Sequence, residues 1–361
     1  GRGRAPRHLC PSMSGALPPV APLVVCWQAE HGRSSLPWQC TRDPYRVWLS
    51  EIMLQQTQVA TVLDYYARFL ARFPDVHALA AAPPDDVLAL WSGLGYYSRA
   101  RNLHRCAQQV VQVHGGRFPA TVAELSALPG IGRSTAGAIA AFCFGQRAPI
   151  LDANVRRVLT RLLGFGGDLA QAAQERALWQ HAQDLLPTQQ LDESMPRYTQ
   201  GMMDLGAMVC LPRQPRCEAC PLQAHCAARA KGTPEQYPVR TRKLVRKAQA
   251  WWLLQLQDAQ GQVWLERRPE RGIWAGLYSL PVFEEREALM AWLEGAQAQL
   301  QQEHPSMLHV LTHRDLYLHR VVATVAQPPA MPVPGGWYAL AETAALGLAA
   351  PVRKLLQSGA A

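Results

Sequence analysis

The sequence predicts an α+β, multi-domain protein, with an all-α part followed by a mixed α/β part. Three observations carry that prediction. The chain has 361 residues, more than one core usually organises, and 48% of them are hydrophobic, enough to fill two. As far as about residue 230, apolar residues recur at helical spacing between Pro, Gly and Asp punctuation. After Lys247 the pattern turns strand-like, starting with Ala250-Trp251-Trp252-Leu253-Leu254-Gln255-Leu256. The expected organisation is a disordered Arg-, Gly- and Pro-containing extension over 1–20, a helical domain over 21–230, a basic Pro-containing linker over 231–247, and a second domain over 248–361.

The elements follow in order. A first helix spans Pro22 to His31. Asp43-Pro44 starts the next, because Pro fits the first helical turn. Trp48, Ile52, Val59, Leu63 and Tyr66 recur at helical spacing and are expected to form one apolar stripe. Glu51 lies at its edge beside Trp48 and Gln55. A carboxyl there is partly desolvated, which raises its pKa towards the range of a general acid. The plainer reading is a solvated helical glutamate. Ala67 to Ala107 continues as helices broken by Pro74 and Pro83-Pro84. Within it, Gly93 and Gly95 adjoin Tyr96, Tyr97, Arg99 and Arg101, which combines stacking and phosphate-binding chemistry in one loop.

Leu128-Pro129-Gly130-Ile131-Gly132 forms a sharp turn, and the small residues Ser134 to Ala141 form a tightly packed helix. The first turn of that helix offers unpaired N–H groups suited to a phosphate. Asp152 precedes a helix over Asn154 to Leu163 and sits where a helix N-cap would. Cys210, Cys217, Cys220 and Cys226 are spaced C-x6-C-x2-C-x5-C. Four thiols so close in sequence suit a metal site in a reducing compartment, and zinc and a 4Fe–4S cluster both accept them. In the second part, Asp258 to Gly261 turns a hairpin, a helix is expected near Ala288 to Gln301, His309 to Val325 forms one or two strands with a bend, and Val352 to Gln357 closes the chain as a helix.

Composition narrows the partner. The formal net charge is +9, and only Lys231, Lys243, Lys247 and Lys354 are lysines, so arginine carries the basic charge. That balance suits a polyanion, and a genome of high G+C content also favours Arg codons. No apolar run reaches membrane-spanning length, and no signal-peptide h-region is present. A cytoplasmic, nucleoid-associated bacterial monomer with no membrane partner is expected.

The stretch LPGIGRSTAGAI…PILDANV resembles the helix-hairpin-helix and Gly/Pro…Asp motif of the endonuclease III superfamily of DNA glycosylases, and within it the adenine glycosylase (MutY) family. The likeness runs from about Trp27 to about Leu356. It implies that Glu51, in SEIMLQQTQV, is the catalytic acid, that Asp152 stabilises the developing sugar cation, and that Asn154 orients them. It implies base-stack wedges at Gln56 and Tyr96, and contacts to the DNA backbone from Gly130, Ile131, Gly132 and Ser134. It assigns the four cysteines one 4Fe–4S cluster. It makes the C-terminal domain Nudix-like, and the Nudix box is not intact, since Glu284, Glu285 and Glu287 are bunched. The domain is therefore expected to recognise a lesion, not to hydrolyse a nucleotide.

The family's lesion-reading Phe-Ser-His is matched here by Leu311-Thr312-His313, so Thr312 and His313 are the expected readers. The implied substrate is double-stranded DNA with adenine opposite 8-oxoguanine or guanine, and the implied reaction is monofunctional hydrolysis of the adenine N-glycosidic bond. Two alternatives are an endonuclease III-like glycosylase with lyase activity and a non-catalytic cluster-containing DNA-binding protein. The first requires a nucleophilic Lys where this chain has Ser134, and no lysine precedes Lys231. The second has no use for Glu51 and Asp152.

Overall fold

The computed structural model describes residues 20–241, 247–312 and 314–358. The N-terminal extension, the core of the expected linker and His313 lie outside the described residues. The chain divides into two compact units. Among the described residues one comprises 20–66, 75–77 and 106–241, and the other 67–74, 78–105, 247–312 and 314–358.

Among the described residues, twelve α-helices precede the sheet: α1 (Val20–His31), α2 (Pro44–Leu54), α3 (Val59–Arg72), α4 (Val76–Ala81), α5 (Pro84–Trp91), α6 (Ser98–His114), α7 (Val122–Ser126), α8 (Arg133–Phe144), α9 (Ala153–Leu163), α10 (Ala172–Asp184), α11 (Leu191–Met208) and α12 (Ala227–Ala230). Local chemistry sets several boundaries. Asp43 caps α2 by accepting from the Tyr45 N–H, with Pro44 in the first turn. Gly145 and Gly164 end α8 and α9 in the left-handed conformation.

The expected continuous stripe from Trp48 to Tyr66 is broken. The chain turns between Leu54 and Val59, Gln56 takes a left-handed φ of 58°, and Leu63 is left 38% exposed. Trp48, Ile52 and Tyr66 are buried as expected. The core of the first unit gathers Val24, Ile150, Val155, Leu159, Leu178, Met202 and Leu205 from α1, α9, α10, α11 and the segment before α9. Two glycines allow backbones to touch there. A Cβ on Gly137 of α8 would lie 2.2 Å from the Pro149 carbonyl oxygen, and one on Gly206 of α11 would lie 2.6 Å from Asn154 Cβ. Both contacts fix the chain around Asp152.

The second unit holds a mixed sheet: β1 (Lys247–Gln257), β2 (Val263–Arg267), β3 (Tyr278–Ser279), β4 (Val282–Phe283), then α13 (Arg286–Gly295), β5 (Gln299–Glu303), β6 (Met307–Val310), β7 (Arg314–Thr324), β8 (Gly335–Tyr338) and α14 (Ala350–Ser358). The main path runs β3-β2-β1-β7-β5, and β1 and β7 pair in parallel from Lys247↔Arg314 to Gln257↔Thr324. The helix expected to reach Gln301 ends at Gly295. Residues 299–303 instead form an exposed polar strand, because β7 supplies the backbone partners that its own side chains do not predict. Segment 78–105 belongs to this unit. Arg267 bonds both Asp85 oxygens at 2.8 and 3.0 Å, and the Ala350 N–H donates to the Tyr97 hydroxyl at 3.1 Å. Among the described residues no helix is long and apolar enough to cross a membrane.

Candidate active site

A cavity of about 530 Å³ opens in the first unit between α1, α2, α8 and α11, lined by Glu51 with Gln28, Arg33, Phe142, Arg197 and Gln200 among others. Glu51 sits on α2 one turn after the buried Trp48, so its carboxyl is held against the core. Burial, with a smaller contribution from the nearby Asp152 carboxyl, pushes its pKa up to about 8.

Asp152 is the N-cap of α9, and its Oδ1 accepts from the Val155 N–H at 2.8 Å. Burial raises its pKa, while the Val155 and Asn154 N–H groups and then Arg157 and Arg156 oppose that rise. Among the described residues no such donor opposes the rise at Glu51. Asn154 meets Asp152 through its backbone. Its side-chain Oδ1 instead accepts from Arg157 Nη2 at 2.9 Å.

The hairpin turns through Gly130 at φ 76°, and the Ile131 N–H donates to the Leu128 carbonyl at 3.2 Å. The Ile131 side chain is buried, so only its backbone is available to a ligand, whereas Gly130 and Gly132 are exposed. Gly132 is the N-cap of α8 and supplies no side-chain cap. Ser134 Oγ accepts the Leu151 N–H at 3.0 Å, tying α8 to the segment that carries Asp152. Gln55 Nε2 donates to Thr135 Oγ1 at 3.3 Å, which ties the turn containing Gln56 to the same helix.

In the second unit, Tyr96 is 43% exposed with φ 50°. It thus shares with Gln56 a left-handed backbone that side chains rarely adopt, a strain found at functional loops. Trp91 Nε1 donates to the Gly95 carbonyl at 3.2 Å, and Arg99 donates to the Leu94 and Gly95 carbonyls at 3.3 Å each. Thr312 lies at the β6–β7 tip, and its hydroxyl donates to the Tyr96 hydroxyl.

The four cysteines line one small cavity of about 30 Å³ with Arg161 and Arg229. Arg161 is buried and donates to Cys210 Sγ at 3.4 Å and to the Leu211 and Pro212 carbonyls at 2.7 and 3.0 Å. The Leu222 N–H points at Cys220 Sγ at 3.4 Å. Among the described residues no three His, Cys, Asp or Glu side chains gather as a single-ion site.

The HhH-GPD superfamily of base excision DNA repair proteins matches residues 49–183, and the NUDIX domain matches 251–358. The adenine DNA glycosylase of Buchnera aphidicola (subspecies Acyrthosiphon pisum, strain APS) is 35% identical over 341 residues, covering 93% of this chain and 96% of that one. The chain belongs to the adenine DNA glycosylase family. The human adenine DNA glycosylase is 42% identical over 223 residues, 59% of this chain and 40% of that one. A solved thermostable thymine-DNA glycosylase superposes with a TM-score of 0.51 at 28% identity, covering 58% of this chain and 95% of that one. The protein is therefore a base excision repair hydrolase that cleaves the N-glycosidic bond of adenine in DNA.

Sequence reasoning missed part of the glycosylase cavity. Gln28, Arg33, Arg197 and Gln200 line it, and the fully buried Asp204 holds Arg33 Nε at 2.7 Å and Gln200 Nε2 at 2.9 Å. Only the i,i+4 spacing of Gln200 and Asp204 in α11 was visible in the sequence, and it carries no signal of burial.

Proposed function

We propose that this glycosylase removes adenine mispaired with 8-oxoguanine or guanine, by monofunctional acid-assisted hydrolysis. The observation that carries the reading is the pairing of a proton-holding Glu51 on the cavity with a hydrogen-bonded Asp152 nearby. Adenine is a poor leaving group until protonated. Glu51, still protonated at neutral pH, gives its proton to N7, and the bond from the sugar to the base breaks with its electrons passing to the base. Positive charge grows on the sugar, and the Asp152 carboxylate stabilises it, or the covalent intermediate, until water adds. The Asn154 N–H opposes the rise in Asp152 proton affinity that burial causes.

The uncapped first turn of α8, with the Gly130, Ile131 and Gly132 backbone, suits a DNA phosphate. Gln56 and Tyr96 each take the role of a wedge into the base stack, and a side chain that fills the place of an extruded nucleotide offsets part of the unstacking cost, a few kcal/mol. Ser134 bonds the Leu151 N–H where a lyase would need an amine.

The cysteine set fits a 4Fe–4S cluster. A zinc ion at about 2.3 Å from each sulfur needs four thiolates converging on one point. A cubane takes one thiolate at each of four irons, and the four cysteines line one common cavity. Cys210, Cys217, Cys220 and Cys226 would hold it, with Arg161 and the Leu222 N–H directed at two of the sulfurs. The bound cluster supplies rigidity to the loop, whose exposed Arg213 and Arg216 suit DNA phosphates. Purified protein should be brown, with about four irons per chain, and zinc in their place would exclude the cluster.

The reaction is tested on an 8-oxoguanine:adenine duplex with and without alkali. Adenine release with strand cleavage only after alkali is expected. Stoichiometric borohydride trapping of a protein–DNA adduct during turnover would overturn the monofunctional assignment.

A further inference from the structure

Two amides on the Glu51 cavity are each held by a charged neighbour, and the two neighbours are of opposite sign. Gln200 Nε2 donates to Asp204 Oδ1 at 2.9 Å. Asp204 is 0% exposed, and it also accepts from the Arg33 backbone N–H at 2.9 Å and from Arg33 Nε at 2.7 Å. A carboxylate paired with a guanidinium only accepts. The nitrogen of the Gln200 amide must therefore face Asp204, and Oε1 is the atom left for the cavity. Gln28 is the converse case. Its Oε1 accepts from Arg197 Nη1 at 3.2 Å, and a guanidinium only donates, so the Gln28 NH₂ is the group turned elsewhere. Gln28 and Asp204 are neighbours, since a Cβ on Gly32 would lie 3.0 Å from Gln28 Cγ and 3.1 Å from Asp204 Oδ2.

We propose that Asp204 is a positioning residue for base specificity, locking the Gln200 amide so that Oε1 faces the cavity as an acceptor for the amino group of adenine. This rests on the cavity being the adenine site. Adenine offers an amino donor at C6 with a bare acceptor at N1, which an acceptor from Gln200 and a donor from Gln28 match. A 6-oxopurine offers the reverse, and its O6 would meet Oε1 with no proton between them. Stapling α11 to the chain after α1 needs only the Arg33 bonds. The bond to Gln200 adds nothing to that staple and decides which face of the amide is presented.

The test compares single-turnover excision of adenine and of hypoxanthine opposite 8-oxoguanine. An asparagine amide both donates and accepts, so Asp204→Asn lets the Gln200 amide flip. The preference for adenine should fall about tenfold, chiefly through faster hypoxanthine release. Gln200→Met should lower the same preference, and adding Asp204→Asn to it should change the ratio no further. Equal slowing of both substrates by Asp204→Asn, or additive effects in the double variant, would show a purely structural role and overturn the proposal.

If Asp204→Asn does not fold, Gln200→Glu serves instead. Two carboxyls sharing a proton leave the introduced one donating to Asp204 and still presenting an acceptor to the cavity, so the preference should hold within about twofold. Its loss would overturn the proposal. Failure of the wild-type protein to release adenine from the duplex would sink the functional reading itself. Adenine release with an unshifted ratio in Asp204→Asn sinks only the role of Asp204.

Discussion

The Glu51 cavity and the β6–β7 tip are built in opposite ways. The cavity draws its walls from residues between Gln28 and Met203, and its key carboxyl is desolvated enough to change its proton affinity. The tip is local in sequence. Leu308 and Val310 beside it are 51% and 60% exposed, and the Thr312 hydroxyl is anchored on Tyr96. Acid catalysis at neutral pH requires a low-dielectric site that only long-range packing creates. Reading a base from its edge requires hydrogen-bonding groups that remain within reach. The two regions should therefore fail differently when altered.

The largest effect is expected at Glu51. Glu51→Gln keeps the shape and loses the proton, so single-turnover adenine excision should fall about 10³-fold while duplex binding is retained. The wild-type rate should hold below pH 8 and drop about tenfold per pH unit once Glu51 loses its proton above about 8. A wild-type rate that rose through that range would exclude Glu51 as the acid. Next in size is Asp152→Asn, expected to cost about 10²-fold, because a charge aimed at a developing cation is lost. The Val155 N–H keeps an acceptor in the variant, so a melting temperature close to wild type should accompany the loss. If the rate survived, Asp152 would be only the cap of α9.

The same desolvation has a cost in stability. Glu51 titrates at its ordinary value of 4.5 in an unfolded chain and near 8 when folded. Across that window the native state holds a proton that the unfolded state has released, so stability falls as pH rises from about 4.5 to about 8. Glu51→Gln removes this dependence. With allowance for solvent entering the cavity, the variant should be more stable than wild type by roughly 2–3 kcal/mol at pH 7 and about equal near pH 4.5. Urea unfolding at the two pH values measures it. Parallel stability curves for the two proteins would mean that the carboxyl is solvated after all.

How much of this was legible in sequence follows from the range of the interactions. Asp43-Pro44 announced the start of α2 and Asp152 the cap of α9, because such signals are decided within three residues. The turn at Gln55 to Gln58 was hidden, since a left-handed glutamine has no local signature and the apolar spacing ran straight across it. β5 was hidden because Gln299 to Glu303 is polar and becomes a strand only through pairing with β7. Glu51 and Asp152 were singled out by resemblance to a motif. Gln200 and Asp204 were not, because Arg33, the partner that makes Asp204 meaningful, stands 171 positions away in the chain. The same distance effect hid the grouping of 78–105 with the C-terminal residues.

The smallest effect tests the tip. The Thr312 hydroxyl hydrogen-bonds the Tyr96 hydroxyl, and its oxygen can accept from a donor on the lesion. Guanine presents N7 as an acceptor, and oxidation at C8 turns N7 into an N–H donor. A Thr312 oxygen that accepted from the N7–H of the lesion would find no such donor on guanine, which would be specificity by difference. Thr312→Ala should lower the preference for adenine opposite 8-oxoguanine over adenine opposite guanine by about five- to tenfold, the worth of one hydrogen bond of about 1 kcal/mol. Excision of adenine opposite guanine should stay near wild type, because Glu51 and Asp152 are untouched. Tyr96→Phe keeps the ring and removes the hydroxyl that anchors Thr312. With that anchor gone the Thr312 hydroxyl is less well placed for the lesion, so the preference should fall about threefold. Single-turnover rates on both duplexes give the ratio for each variant. If Thr312→Ala and Tyr96→Phe both leave the ratio unchanged, the tip does not read the lesion, and the contrast with the cavity is one of exposure alone.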